Sequence, residues 1–360
     1  MLTLEPRAEP SRALALASPV LALALTLLVG FALFVALGMD PLRGLTLFFY
    51  EPLKSERALA ELSIKACPLL LIGLGLSLCF RANVWNIGAE GQLILGALGA
   101  TGVALRATPS SSPWFFVGVL LAGAFAGAAW AAVTALLRDR FNASEILVSL
   151  MLVYVAEQLL SYVVHGPWKD PNGYNFPQTI NFLSAARVPR LLEGSRANYG
   201  VPLTVVMAAL FWLLMHRTHV GYRLEVGGLS PRAARYAGFS SRSALWTPLL
   251  LSGATAGLAG ALEVAGPVGQ LTTQVPVGYG FAAIIVAFVG RLSPLGVTLS
   301  SVLLSMFYLG GELSQSRLGL PKSITGVLQG LLLFSLLSCD TLIHHRVRVV
   351  GWRRSSAEAP

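Results

Sequence analysis

The sequence predicts an all-α, polytopic membrane protein with about ten transmembrane helices and both termini on the cytoplasmic side. Three observations predict it. Of its 360 residues, 55% are hydrophobic and only 12% charged, and the mean hydropathy is +0.68, too apolar for a water-soluble domain. Apolar windows near the roughly 20 residues that cross a bilayer recur along the whole chain. Arginine and lysine fall mostly in the short gaps between those windows, unequally on the two sides.

Taken in order, segment 1–18 mixes Glu5, Arg7, Glu9 and Arg12 and reads as a cytoplasmic N-terminal segment. The apolar stretch after it continues to Leu37. It is longer than a signal-peptide core and is read as a retained first helix. The transmembrane domain is assigned to 19–338, with windows at 19–38, 60–80, 84–105, 113–137, 145–164, 199–215, 245–265, 278–290, 296–312 and 324–338. The window 278–290 is short for a crossing. A basic cytoplasmic tail, 339–360, follows.

Charge placement tests this count independently. With the N-terminus inside, the inner segments collect fifteen arginines, from Arg7 and Arg12 to Arg353 and Arg354, and the outer segments ten arginines and lysines. Four of those ten lie in the long outer loop 166–198, where flanking charge counts less. The excess supports an even number of crossings. The formal charge of +9 is thus an orientation signal, and no basic run interleaved with aromatics points to nucleic acid. Cys67, Cys79 and Cys339 lie in or beside apolar runs without a CxxC spacing, so they indicate packing rather than a disulfide framework or a metal site.

Gly123 and Gly127, and Gly253, Gly257 and Gly260, carry the small-residue spacing that lets membrane helices approach closely. The outer loop 166–198, with Pro167, Pro171, Pro177 and Pro189, is expected to be ordered with at most short helices. In the inner loop 217–244, Ser230 suits an N-cap, Pro231 a first turn and Gly238 a helix end. A helix over 231–239 is too short to stand alone in water, so it needs something to dock on.

No HExxH, GxSxG or GxxxxGK[ST] motif occurs, which leaves no catalytic reading and no nucleotide site on this chain. Chemistry concentrates instead around Asn83, Trp85, Asn86, Glu90 and Gln92, at the mouth of the third window. Charged groups in lipid are expensive, so Glu90, Glu157, Glu263 and Lys65 should face a protein interior or a water path. Two readings stay open for the group at the third window: an amide-rich cap fixing a helix end, or direct contact with a solute. The scattered carboxylates leave an ion-coupled secondary carrier as the alternative to any other transporter.

Three blocks together resemble one family. They are Asn86-Ile87-Gly88-Ala89-Glu90-Gly91-Gln92, Ala233-Ala234-Arg235-Tyr236-Ala237-Gly238, and the run from Ser252 to Glu263. They resemble the ABC-type permeases of the ribose, branched-chain amino acid and nucleoside group, over about 59–337. The stretches His165 to Pro171, Asn175 to Gln178 and Gly278-Tyr279-Gly280-Phe281 look closest to its nucleoside branch, linked to basic membrane lipoproteins.

The resemblance implies a type II ABC importer-like permease in the bacterial cytoplasmic (inner) membrane. It would form half of a path for nucleosides or a related small polar solute such as a sugar. A second homologous permease chain, ATPase subunits holding ATP and Mg, and an external substrate-binding lipoprotein are the implied partners. Asn83, Trp85, Asn86, Glu90, Gln92, Glu157 and Glu263 are then candidates for the path or its gate. Pro231, Ala233, Ala234, Arg235, Tyr236, Ala237 and Gly238 would form the coupling helix seated on the ATPase.

Overall fold

A computed structural model describes residues 2–6, 12–191, 194–321 and 323–349. Parts of the expected N-terminal segment and half of the expected basic tail lie outside them. The helices are α1 (Arg12–Ala36), α2 (Pro41–Phe49), α3 (Glu56–Arg81), α4 (Ala89–Ala104), α5 (Phe115–Phe141), α6 (Glu145–His165), α7 (Gly200–Arg217), α8 (His219–Leu229), α9 (Pro231–Tyr236), α10 (Ser241–Glu263), α11 (Tyr279–Val289), α12 (Pro294–Leu318) and α13 (Ser323–His344). Each apolar window of the sequence coincides with a helix: α1, α3 to α7 and α10 to α13. Among the described residues six helices are long and apolar enough to cross a membrane, namely α3, α5, α6, α7, α12 and α10 with its continuation to Val268.

Two compact units divide the chain, Met1–Leu47 with Leu313–Pro360, and Phe48–Glu312. In the first, α1 packs along α13. Two short strands, β1 (Leu2–Pro6) and β2 (His345–Val349), pair antiparallel and bring both ends of the chain together. Apart from this short pairing, whose alternation is visible in His345-Arg-Val-Arg-Val, the described elements are helical, as the all-α expectation has it. Helix α13 runs on to His344, into the stretch 339–360 read from the sequence as a tail.

In the second unit α10 is the centre, packed by α3, α4 and α5. The glycines flagged in the sequence meet there. A Cβ on Gly257 would collide with backbone of Gly123 and Gly127, one on Gly253 with Gly127, and one on Gly260 with Leu93. Backbone-to-backbone approach of this kind supplies the dispersion contact that lipid cannot provide through a hydrophobic drive.

Two boundaries differ from expectation in a way that positions the site. The third window begins at Val84, but helix starts only at Ala89, leaving the lead-in to α4 irregular. Helix α4 then rises about 24 Å and α11 about 16 Å at 1.5 Å per residue, both short of the roughly 30 Å hydrocarbon core.

Candidate functional site

The lead-in to α4 starts where α3 stops. Asn83 adopts φ 55°, Val84 N–H donates to Cys79 O at 2.9 Å and Asn83 N–H to Phe80 O at 3.1 Å. This is a Schellman ending with asparagine in the left-handed position that it tolerates better than most residues. Asn83 is exposed, and its backbone turns the chain at the end of α3.

Asn86 and Gln92 form a polar group. Asn86 Nδ2 donates to Gln92 Oε1 at 2.9 Å and to Ser252 Oγ at 3.0 Å, while Gln92 Nε2 donates back to Asn86 Oδ1 at 3.0 Å. Asn86 Oδ1 also accepts from Gly88 N–H, and Ser149 Oγ of α6 accepts from Ile87 N–H at 3.2 Å. The side chains of Asn86, Gln92, Ser149 and Ser252 are buried. Non-helical backbone inside a membrane protein must be satisfied by protein or water, and these amides do it by tying the lead-in to α6 and α10.

Glu90 is fully buried and belongs to a different arrangement. Its Oε1 accepts from Gly278 N–H at 2.9 Å and its Oε2 from Gly280 N–H. Those two donors open α11, whose N-cap Gly278 has φ 85°. A carboxylate on the free N–H groups of a helix start meets both the donors and the positive end of the dipole. The approach is close enough that a Cβ on Gly280 would overlap Glu90 and Ala89 backbone. Two short helices thus meet end to end at one side chain.

Trp85 is partly exposed and stacks in an aromatic trio with Phe80 at 5.3 Å and Phe288 at 6.3 Å, Phe80 and Phe288 lying 5.1 Å apart. Phe80 and Phe288 lie in the last turns of α3 and α11, so the trio ties those two helix ends to the lead-in of α4. Glu157 and Glu263 are half-buried on other helices. Among the described residues neither hydrogen-bonds to Glu90 or to the amide group. Lys65 pairs with Glu312 at 2.7 Å, joining α3 to α12. The expected set is therefore split: Asn86 with Gln92, Glu90 with α11, Trp85 with the trio, and Asn83, Glu157 and Glu263 apart. Among the described residues no group of three or more His, Cys, Asp or Glu could hold a metal ion.

The loop 217–244 holds two helices, α8 and α9, where one was expected. Ser230 Oγ accepts from Ala233 N–H at 3.3 Å, and Pro231 opens α9. Gly238 ends it with φ 77° while Phe239 N–H donates to Ala234 O at 2.9 Å, so the helix stops at Tyr236 rather than reaching residue 239. Ala234 is buried against the chain itself, whereas Pro231, Ala233, Arg235, Ala237 and Gly238 are exposed and Tyr236 is 96% exposed. A cavity of about 470 Å³ lies behind α9, lined by Asn83, Arg138, Asp139, Arg223, Ala234, Arg235 and Arg242 among others. Asp139 is held there by Arg242 Nε at 2.7 Å and Trp246 Nε1 at 3.2 Å.

Sequence reasoning missed Ser149, Ser252, Gly278, Gly280, Phe80 and Phe288. Gly278 and Gly280 did carry a signal, two glycines beside a short apolar window, which is how a close helix-end approach is written.

Residues 58–337 match the family model described as "Branched-chain amino acid transport system / permease component". A glucose ABC transporter permease protein of Haloferax volcanii is 36% identical over 372 aligned positions, covering 100% of this chain and 96% of its own length. A guanosine ABC transporter permease protein of Bacillus subtilis is 28% identical, covering 75% of this chain and 78% of its own. A nucleoside ABC transporter permease protein of Lactococcus lactis subsp. cremoris is 24% identical, covering 88% and 89%.

Proposed function

The chain belongs to the branched-chain amino acid transport system permease family, and from that premise we propose that it is the permease subunit of an ATP-driven importer, forming half of a path for nucleosides or a sugar. The observation that carries the reading within the structure is the meeting of α4 and α11 at Glu90. Two helices too short to span, joined at their N-termini inside the protein, leave irregular backbone on either side of the junction. That is the arrangement membrane proteins tolerate where backbone lines a cavity or is buried in protein.

Family membership makes the chain a transport subunit and a multi-pass membrane protein, and it implies ATPase and substrate-binding partners in general. The finer reading adds a second homologous permease, an external lipoprotein, about ten crossings, cytoplasmic termini and an inner bacterial membrane. Pairing of β1 with β2 supports the even number of crossings, because it brings the two chain ends to one side. Among the described residues no hydrogen bond links Glu90, Glu157 and Glu263, which weighs against a proton relay, since that needs groups in hydrogen-bonded succession.

In the proposed cycle ATP binding closes the ATPase pair, α9 transmits that motion, and the bundle rearranges about the α4–α11 junction. Selectivity rests mainly with the external protein, since conduction needs a solute that can leave. Reconstitution of the chain with a cognate ATPase, second permease and external binding protein tests the reading. ATP-dependent accumulation of radiolabelled guanosine or glucose that survives collapse of the proton gradient is the expected result; uptake abolished by that collapse with ATP maintained would refute it.

A further inference from the structure

Helix α4 is buried on every side except one. Leu95, Gly99, Gly102 and Val103 are its only unburied positions and fall on one face at helical spacing, and exposed Arg106 continues that face just past the helix end. Along the face runs a groove of about 530 Å³, lined by Gly99, Gly102, Val103, Leu105, Arg106 and Trp168. Trp168, three residues beyond α6, forms a wall: its ring lies 3.3 Å from the place of a Cβ on Gly102, and its N–H donates to Val163 O at 3.0 Å. Further along the face Gly99 packs on Ala122 and Ala126 of α5.

The lining is hydrocarbon with a single charge at its lip. The Arg106 side chain forms no ion pair or hydrogen bond with the described residues. Lys169, beside Trp168, is held by Asn175, and the Asp170 carboxylate by the N–H of Asn172 at 2.9 Å. Apolar surface continues past the groove. Helices α5 and α6 both pack on α4 and leave most of their apolar windows unburied, with Leu121, Phe125, Tyr154 and Val155 exposed. In a multi-pass membrane protein such a surface meets acyl chains. Trp114 before α5 and Tyr162 in the last turn of α6 are also exposed, and Trp and Tyr at helix ends mark the headgroup level. Both lie at the end of the bundle where α4 stops and Trp168 covers it. The Arg106 guanidinium therefore stands at headgroup depth, where a phosphodiester offers its planar fork two oxygens.

We propose that this groove seats an acyl chain of an anionic phospholipid, with Arg106 on the phosphate and Trp168 against the chain. The proposal goes beyond the transport reading and rests only on the chain's being a multi-pass membrane protein. A lipid is favoured over a sugar or nucleoside because the lining offers hydrocarbon and one guanidinium, whereas those solutes bring many hydrogen-bonding groups that would go unmatched. It is favoured over a protein partner because the groove is continuous with the apolar surface of α5 and α6, and because basic pockets between transmembrane helices suit lipid headgroups. Occupancy has a mechanical corollary. The helix braced by this lipid at its last turn is the one whose first turn carries Glu90, the fastening to α11.

The test places the full chain in nanodiscs of phosphatidylcholine and phosphatidylglycerol, one of the two carrying a diazirine on its acyl chain, and maps photo-adducts by mass spectrometry. Adducts are expected on residues 99–106 and on Trp168, with the phosphatidylglycerol probe ahead by about fivefold, the effect of one basic side chain beside an anionic headgroup. Arg106→Gln should erase that preference, and Arg190→Gln, at an exposed arginine elsewhere in the loop 166–198, should preserve it. Gly102→Leu, which fills the groove against Trp168, should remove groove adducts of both probes while labelling of Leu121 and Phe125 persists. An even spread over α5 and α6 with no excess in the groove overturns the proposal, as does a preference that survives Arg106→Gln. Displacement by inorganic phosphate, glucose or guanosine overturns it in favour of a free anion or solute. Groove labelling of the chain alone that vanishes in the assembled importer overturns it in favour of a partner subunit. Glu193 lies outside the described residues; a stronger preference in Glu193→Ala would assign Arg106 to that acid and overturn the anchor. Labelling needs no transport, so the permease reading stands or falls separately.

Discussion

Glu90 accepts a 2.9 Å hydrogen bond from the backbone N–H of Gly278, a residue 188 positions further along the chain. With the second bond, from Gly280, that contact makes one carboxylate the fastening between α4 and α11. Glu90→Ala strands both N–H groups in a dry site, at a cost of about 1–3 kcal/mol each. Glu90→Gln keeps one acceptor oxygen but turns an NH₂ group toward the other donor. Amide hydrogen exchange at Gly278 to Phe281 should therefore quicken in the order wild type, Gln, Ala, with uptake per assembled chain falling in the same order. Equal protection in all three would show that the carboxylate does not hold α11.

The amide pair predicts non-additivity. Asn86→Ala and Gln92→Ala each leave the other amide buried without its reciprocal partner, and each should destabilise by about 2 kcal/mol. The double substitution should cost clearly less than the two added together, because the second truncation removes a group already unpaired. Thermal unfolding of the four proteins in one detergent reads this directly, and strict additivity would rule the pairing out.

Helix crossing at α10 predicts a contrast between two glycines. Gly257→Ala drives a methyl into Gly123 backbone and should lower both abundance and unfolding temperature. Gly118→Ala, in open space on α5, should be neutral or stabilising by up to about 1 kcal/mol through helix propensity. Similar behaviour of the two would remove close backbone approach as the reason for the glycine spacing.

Burial separates two kinds of substitution in α9. Ala234→Glu places a charge against the chain's own core and should reduce the amount of folded protein. Tyr236→Ala removes only an exposed ring, so abundance should stay level while solute-stimulated ATP hydrolysis drops by about tenfold if that ring is a docking hot spot. Normal coupling in Tyr236→Ala would mean that α9 does not meet the ATPase through this face.

Much of this was legible in the sequence. The windows found their helices because runs of apolar residues are constrained by bilayer thickness, and the glycine spacing found its crossing because only small residues permit one. Asn86 and Gln92 stood out in the sequence as polar groups beside an apolar window, and the fold buries both and bonds them to each other. Their other partners were not legible, since Ser252 is 160 positions beyond Gln92 and pairing across that separation is set by three-dimensional packing. The same limit joined Glu90 to Asn86 in sequence while the fold joins it to Gly278. That Ala234 is the covered residue of α9 was not legible, because a two-turn helix shows too little periodicity to reveal which face is covered.

The separation of Glu90 from its cap has a meaning in time as well as in space. Ribosomes add about 5–20 residues per second, so Gly278 follows Glu90 out of the ribosome by about 10–40 s. Through that interval α4 must reside at the translocon or in lipid with an uncapped carboxylate, a burden of about 3 kcal/mol at mid-membrane. Synthesis of α11 ends it. A nascent chain interrupted before Gly278 carries that burden for as long as it exists, so completion of the polypeptide is itself the step that makes the first half of the bundle comfortable in the membrane.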